Sequence, residues 1–208
     1  MVRPARPEVR TQIVERAGAL LARREPVTLR SVVAGTGVST MAVYTHFGGM
    51  PGLLGAVRQE GFARLATRLA TLATTDDPVA DAAAAGAAYA ATARRSPELY
   101  TLMFDGTLPL PDPAAADATL AHLVTAIRRA VEGGRLGADV DPAALAHELW
   151  MLGHGACMLL ATGVLTFEQV EPTVTSGLAH LYRAAGDDAA RARRSVRQGW
   201  ARGLTGSA

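Results

Sequence analysis

The chain has 208 residues, 49% of them hydrophobic, and a formal net charge of only +2. That is enough for one ordinary domain or a small module beside a larger one, and it excludes selection of a partner by bulk charge. The single cysteine, Cys157, excludes an intramolecular disulfide and suits a reducing cytoplasm, and MVRPARPEVR lacks the apolar core of a signal peptide. All 21 basic residues are arginine, which with the high Ala and Gly content reads as coding bias rather than chemistry.

Pro7 to Arg23 reads as an amphipathic helix with Ile13, Val14, Ala17, Leu20 and Leu21 on its apolar face, ending before Pro26. Thr28 to Phe47, TLRSVVAGTGVSTMAVYTHF, then reads as a complete helix-turn-helix. Leu29, Val32 and Val33 repeat at helical spacing, and Gly37 falls where a tight turn needs a residue tolerant of positive φ. Val38 plugs the angle between the two helices, and Ser39 is a good N-cap for the second. In that second helix Val43 and Phe47 point inward. Met41, Ala42, Thr45 and His46 point away, with Thr40 and Tyr44 on the flank. A short helix with hydroxyls on its outer face, packed at an angle on another, has the geometry that enters a DNA major groove. The charges agree: Pro26 through Gln59 holds no acidic residue. Ahead of Phe47, Arg3, Arg6, Arg10, Arg16, Arg23, Arg24 and Arg30 outnumber Glu8, Glu15 and Glu25.

After Gly48-Gly49, a long helix from Met50 to about Ala73 runs on Leu54, Val57, Phe62, Leu65, Leu69 and Leu72, and it belongs to both halves of the chain. Asp76-Asp77-Pro78 opens an alanine-rich helix to Arg95. Pro97 begins a short helix to about Phe104, and the proline-rich stretch Asp105 to Pro113 is a loop. Helices follow near Ala114–Glu132, Pro142–Thr162 and Thr166–Ala184. Leu149 to Phe167 is uncharged, but it is bounded by Glu148 and Glu168 and interrupted by glycines, so it reads as a helix buried in protein and not as a membrane span. Asp187 to Ala208 carries Arg191, Arg193, Arg194, Arg197 and Arg202 against two Asp, and reads as a solvated basic tail in preference to a short final helix. No alternating strand pattern appears. The expected fold class is all-α, with a three-helix DNA-binding domain over residues 1–48. A helical-bundle ligand-binding and dimerisation domain over 49–186 follows, and then the tail over 187–208.

Gly37-Val38-Ser39, followed five residues after Ser39 by Tyr44-x-His46-Phe47 and then by a long helix opening with Leu53-Leu54, resembles the TetR family of bacterial transcriptional repressors. Ser96-Pro97-Glu98-Leu99-Tyr100-x-Leu102-Met103-Phe104 and Trp150-x-x-x-His154-Gly155 resemble the regulatory domain of the TetR branch named for its Trp-His-Gly pattern. The resemblance implies a homodimer held by a four-helix interface, here from the helices carrying Gly153, Gly155, Ala156 and Ser176, Gly177, Ala179. It also points to phosphate roles for Tyr44 and His46. One departure is clear: TetR proteins usually carry Lys or Arg just after the Phe-containing turn, where this chain has Gly48-Gly49-Met50-Pro51. Modest affinity per half-site and reliance on the arm residues Arg3, Arg6 and Arg10 are therefore expected, with helix-start N–H groups still able to bind an anion.

Side-chain chemistry divides the candidate DNA contacts. Thr28, Tyr44 and His46 suit phosphate oxygens; Ser39, Thr40 and Thr45 suit base edges, and Met41 and Ala42 a thymine methyl. A two-fold dimer calls for a near-palindromic double-stranded operator. For a small apolar effector the candidates are Tyr89, Met103, Phe104, His122, Trp150, Met151, His154 and Met158. Trp150 and His154 share a helix face, and the imidazole needs a partner, whether ligand, backbone carbonyl or neighbouring subunit. His147, His154 and Cys157 would spread metal ligands over roughly 15 Å of one helix, so neither a metal nor another cofactor is expected. No G-x-S-x-G, P-loop, dinucleotide fingerprint or H-E-x-x-H appears, and no catalytic residue is assigned. The expected function is a cytoplasmic, sequence-specific DNA-binding regulator, a repressor released by its effector. The alternative is a helical small-molecule-binding or scaffold protein that no longer binds DNA.

Overall fold

In the computed structural model, which describes residues 7–205, the helices run α1 (Pro7–Ala22), α2 (Leu29–Val33), α3 (Met41–Phe47), α4 (Met50–Ala70) and α5 (Pro78–Arg95). They continue with α6 (Pro97–Met103), α7 (Ala114–Glu132), α8 (Pro142–Ala161), α9 (Phe167–Ala184) and α10 (Ala189–Thr205). The described residues contain no strand, and none of their helices is long and apolar enough to cross a membrane. Capping chemistry sets most boundaries. Thr28 Oγ1 accepts from the Ser31 N–H while the Thr28 N–H donates to Ser31 Oγ, a reciprocal box that starts α2. Thr166 and Gln169 do the same for α9. Asp77 and Asp141 cap α5 and α8, each with proline in the first turn.

Two cores meet on α4. Ile13, Ala17 and Leu20 of α1 close with Val32, Val43 and α4 residues Leu53, Ala56 and Val57 around the N-terminal helices. From Phe62 onward α4 turns Leu65 and Leu69 into the larger core of α5 to α10. The short helix α6 is shared as well, since Tyr100 and Met103 join the larger core while Leu99 and Leu102 pack on the smaller one.

The expected solvated tail is instead helix α10, which makes the most extensive helix–helix contact among the described residues, along α5. Arg191, Arg193, Arg194 and Arg197 face solvent, as their charge suggests. On the opposite side Ala192, Val196, Gly199, Trp200 and Gly203 recur at helical spacing and are buried. The alanines of α5 let this stripe approach to backbone contact. A Cβ at Gly199 would collide with the Ala80 carbonyl, and one at Gly203 with the Ala84 carbonyl.

Charged groups pin the same seam. Arg135 is buried and reaches Asp187 at 2.9 Å, Ser195 Oγ at 2.7 Å, and Asp77. Asp81 accepts from Arg129 at 2.8 Å, Arg202 at 2.6 Å and the Thr75 hydroxyl at 2.7 Å. Desolvation pushes both carboxyls up. Ser195, the Ala80 N–H and Arg135 outweigh it at Asp77, as do Thr75, Arg129 and Arg202 at Asp81, so both titrate below the ordinary carboxylate range. A depressed folded value gives stability that is complete above the unfolded pKa, near ~3.9, and lost as pH falls through the folded one. The melting temperature is expected to fall as pH drops below about 4, and the double substitution Asp77→Asn, Asp81→Asn to blunt that fall. An unaltered acid response in the double variant would locate the sensitivity elsewhere.

Candidate functional site

The N-terminal site is built on α2, a tight turn and α3. Gly37 takes φ +71°, the left-handed conformation its position requires. α3 stops at Gly48, φ +72°, whose N–H returns to the Tyr44 carbonyl. Val43 is fully buried, which fixes the face α3 turns outward. On that face Met41 is 64% and Tyr44 50% exposed, with Ser39 and Thr45 exposed beside them. Thr40, Ala42 and His46 are half-buried at its edges. The Thr45 hydroxyl donates to the Met41 carbonyl at 3.0 Å, which leaves its lone pairs outward. The Arg10 guanidinium lies 5.4 Å from the centre of the Phe47 ring and brings a positive charge to the end of α3. Arg3 and Arg6 lie outside the described residues.

Two expectations shift here. Thr40, not Ser39, occupies the N-cap position of α3, and it makes no side-chain cap bond; the Ser39 carbonyl instead accepts from the Ala42 N–H at 3.0 Å. The Ser39 hydroxyl is thus not spent on the helix end. Thr28, expected to touch phosphate, is exposed but its hydroxyl is engaged in capping α2.

The second site is a cavity inside the larger core, with a free volume of about 60 Å³ and walls drawn from α4, α5, α7, α8, α9 and α10. An aromatic cluster forms one end. The Trp150 and His154 rings stack 5.3 Å apart, 17° from parallel. The Trp150 Nε1–H donates to the Tyr89 hydroxyl at 3.3 Å, and the Tyr100 hydroxyl lies 2.8 Å from His154 Nδ1. The partner that the imidazole needs is therefore a tyrosine of the same chain. Burial pushes the His154 pKa down, so the ring is neutral near pH 7, and it drives the Tyr89 and Tyr100 hydroxyls up, so they stay protonated.

Among curated proteins, none matches the chain. Solved structures match over most of its length. A protein of unknown function from Rhodococcus sp. RHA1 is 26% identical, with a TM-score of 0.70 and coverage of 86% of this chain and 96% of that one. RolR in complex with resorcinol is 18% identical, with a TM-score of 0.66 and coverage of 91% and 93%. TylP, a TetR regulator from Streptomyces fradiae, is 21% identical, with a TM-score of 0.62 and coverage of 89% and 90%. The family model for the tetracyclin repressor-like C-terminal domain matches residues 82–181. Residues 82–181 thus match a tetracyclin repressor-like C-terminal domain, and the chain shares its fold with TetR regulators of known structure.

The cavity gathers three of the eight effector candidates, Tyr89, Trp150 and His154. Phe104 sits behind them, its ring 4.4 Å from that of His154. Met103 is sealed in the core against Gly61, because its helix α6 turns it toward α4. Met151 lies on the far side of α8 and is 58% exposed, one residue on from Trp150 and so about 100° around the helix. Met158 is packed at the core margin, and His122 opens on a separate groove between the end of α4 and α7, beside Asp81 and Arg129. Sequence reasoning missed Leu120 and Leu123 of α7, Val170, Val174 and Leu178 of α9, and Trp200 of α10. Trp200 was legible in principle, because Val196 and Trp200 are four apart and the chain has only two tryptophans.

The helix stripes read as an interface divide too. On α8, Gly155, Met151 and Leu159 are exposed and Gly153 has open space where a Cβ would stand. Both Gly153 and Ala156 line the cavity. On α9 Ser176 is exposed, but Ala179 is buried and Gly177 packs on Leu152, joining α9 to α8 of the same chain. His147 bonds the Ala143 carbonyl on the exposed side of α8, while Cys157 is buried with its thiol pushed up to about 12 by desolvation.

Proposed function

We propose that this chain is a TetR-family regulator with the helix-turn-helix as its reading head, a cytoplasmic homodimeric repressor that releases a near-palindromic operator when a small, mostly apolar effector enters the cavity beside Trp150 and His154. The observation that carries the reading is the placement of α6. Its Tyr100 bonds His154 at the cavity, while Leu99 and Leu102 rest on the core of the DNA-binding helices. Across the same joint Glu98 pairs with Arg24 of the N-terminal part at 3.0 Å. At about 60 Å³ the cavity is well below the roughly 150 Å³ of a cavity known to accept benzene. An effector must therefore push its walls apart, and α6, whose Tyr100 bonds the wall residue His154, also touches the reading head. RolR, of similar fold, holds resorcinol, a molecule of the size such a site would take. The exposed Met151, Leu159 and Gly155 of α8 supply a flat apolar face for the second subunit. Trp150, His154 and Gly155 support a place in the Trp-His-Gly branch. Residues 1–48 with the start of α4 act as the head, and the remainder as the regulatory body.

Tyr44→Ala tests the head. Tyr44 is half-exposed and outside the core, so the fold should survive. Loss of one hydroxyl-to-phosphate bond per half-site is expected to weaken binding to the DNA flanking its own gene about tenfold. Because tyrosine is uncharged, the slope of affinity against salt should not change. Fluorescence anisotropy at two salt concentrations measures both. Full affinity in the variant would remove Tyr44 from the interface, and no wild-type binding at low salt would favour the scaffold alternative.

A further inference from the structure

We propose that the cavity selects an uncharged effector bearing a hydrogen-bond acceptor, and that Trp200 of α10 is the donor that reads it. This rests on the cavity being the effector site. Its walls hold no Asp, Glu, Lys or Arg. The polar groups at the aromatic end are paired with one another, Trp150 with Tyr89 and Tyr100 with His154. Burial keeps His154 neutral and Cys157 a thiol, so no wall group becomes a counter-ion near neutral pH. An ionised carboxylate or ammonium would enter without a partner, which a low-dielectric site penalises heavily.

Trp200 differs from the other polar groups. It is 3% exposed, and its indole N–H is buried with no acceptor. The six-membered edge of the indole lies against Gly86, a second wall residue, whose Cβ would stand 3.7 Å from it. Buried donors without partners are uncommon in native proteins, and each carries its desolvation penalty until an acceptor arrives. The walls must part for any ring to enter, and a carbonyl or ether oxygen brought beside Trp200 then relieves that penalty. A donor-only or fully apolar molecule does not. α10 thereby gains a recognition role that its arginine-rich composition conceals.

The test uses the full-length protein and three ring probes: cyclohexanone, its isostere methylenecyclohexane, and cyclohexanecarboxylate. Calorimetric titration gives affinities for wild type, Trp200→Phe and Trp150→Phe, and quenching of the remaining tryptophan reports occupancy of the cavity. Trp200→Phe is expected to weaken cyclohexanone about fivefold, the worth of one net hydrogen bond, while methylenecyclohexane is unchanged. Trp150→Phe should alter both neutral probes alike, and the carboxylate should bind at least tenfold more weakly than the ketone. Equal effects of Trp200→Phe on ketone and isostere, or a carboxylate as tight as the ketone, would overturn the proposal and leave the cavity as an effector site. If neither neutral probe binds or quenches tryptophan, the cavity reading itself fails and the proposal falls with it. The unchanged isostere also shows that the variant is folded.

Discussion

Gly199→Val is expected to lower the stability of the protein by about 3 kcal/mol or more, the upper range for overpacking, because the added atoms meet backbone and not a side chain that can yield. At Gly199 the obstructing atom is the Ala80 carbonyl oxygen, held in the first turn of α5 by the Asp77 cap and the Pro78 ring. Neither helix can give way alone, since Ser195, Asp77, Arg135 and Asp187 bind the two together one turn away. For a chain of this length the loss corresponds to a drop of roughly 6–12 °C in melting temperature. Thermal circular dichroism measures it. Gly18→Val in α1, where the Cβ would meet nothing within 4 Å, is the control for replacing a helical glycine. A melting temperature within about 2 °C of wild type for Gly199→Val would mean that α10 is not seated on α5 as described.

Arg58→Ala is expected to separate effector binding from DNA release. Arg58 leaves α4 and donates to the Met103 carbonyl at 2.8 Å and the Leu108 carbonyl at 2.7 Å, the end of α6 and the loop after it. Beside it Gly55 lies so close to Pro109 that a Cβ would stand 2.6 Å from the proline ring. These contacts make α4 follow α6, and α4 carries Leu53, Ala56 and Val57 into the core of the reading head. Coupling between two sites in such regulators is worth about 1–3 kcal/mol, or roughly 5- to 150-fold in operator affinity. Without the guanidinium, operator affinity in the absence of ligand should hold while the loss caused by saturating cyclohexanone shrinks toward none. Anisotropy with and without the ketone gives the ratio directly. If the variant keeps the wild-type ratio, the signal does not pass from α6 to α4 through Arg58.

Much of the head was legible in the sequence because its rules are local. Thr28 and Ser31 are three residues apart and cap α2 wherever that helix packs. Gly37 and Gly48 sit where positive φ ends a turn, and Val43 at one position dictates which side chains of α3 face outward. The single displaced cap, Thr40 in place of Ser39, is a difference of one residue where helix ends fray. Helix positions in the body were equally readable from Pro78, Pro97 and Pro142 at their starts.

The cavity was not, and the reason lies in apposition. Aromatic, Met and His residues at helical spacing say that a helix has an inner face, not which neighbour that face meets. Met151 follows Trp150 in sequence yet points out of the bundle, and His122 shares no cavity with His154 although both are histidines of long helices. Trp200 reaches the same wall as Tyr89, more than a hundred residues earlier, only because α10 lies on α5.

What the linear chain determined alone was periodicity, capping and the sign of charge along each segment, since these depend on neighbours within four or five residues. Folding in three dimensions decided the fate of residues 189–205. There the visible arginines spoke for solvent, while the glycines and alanines that admit α5 to backbone contact carry no signal until their partner surface is present. Small side chains are silent in one dimension and decisive in three, because what they contribute is the absence of an obstacle.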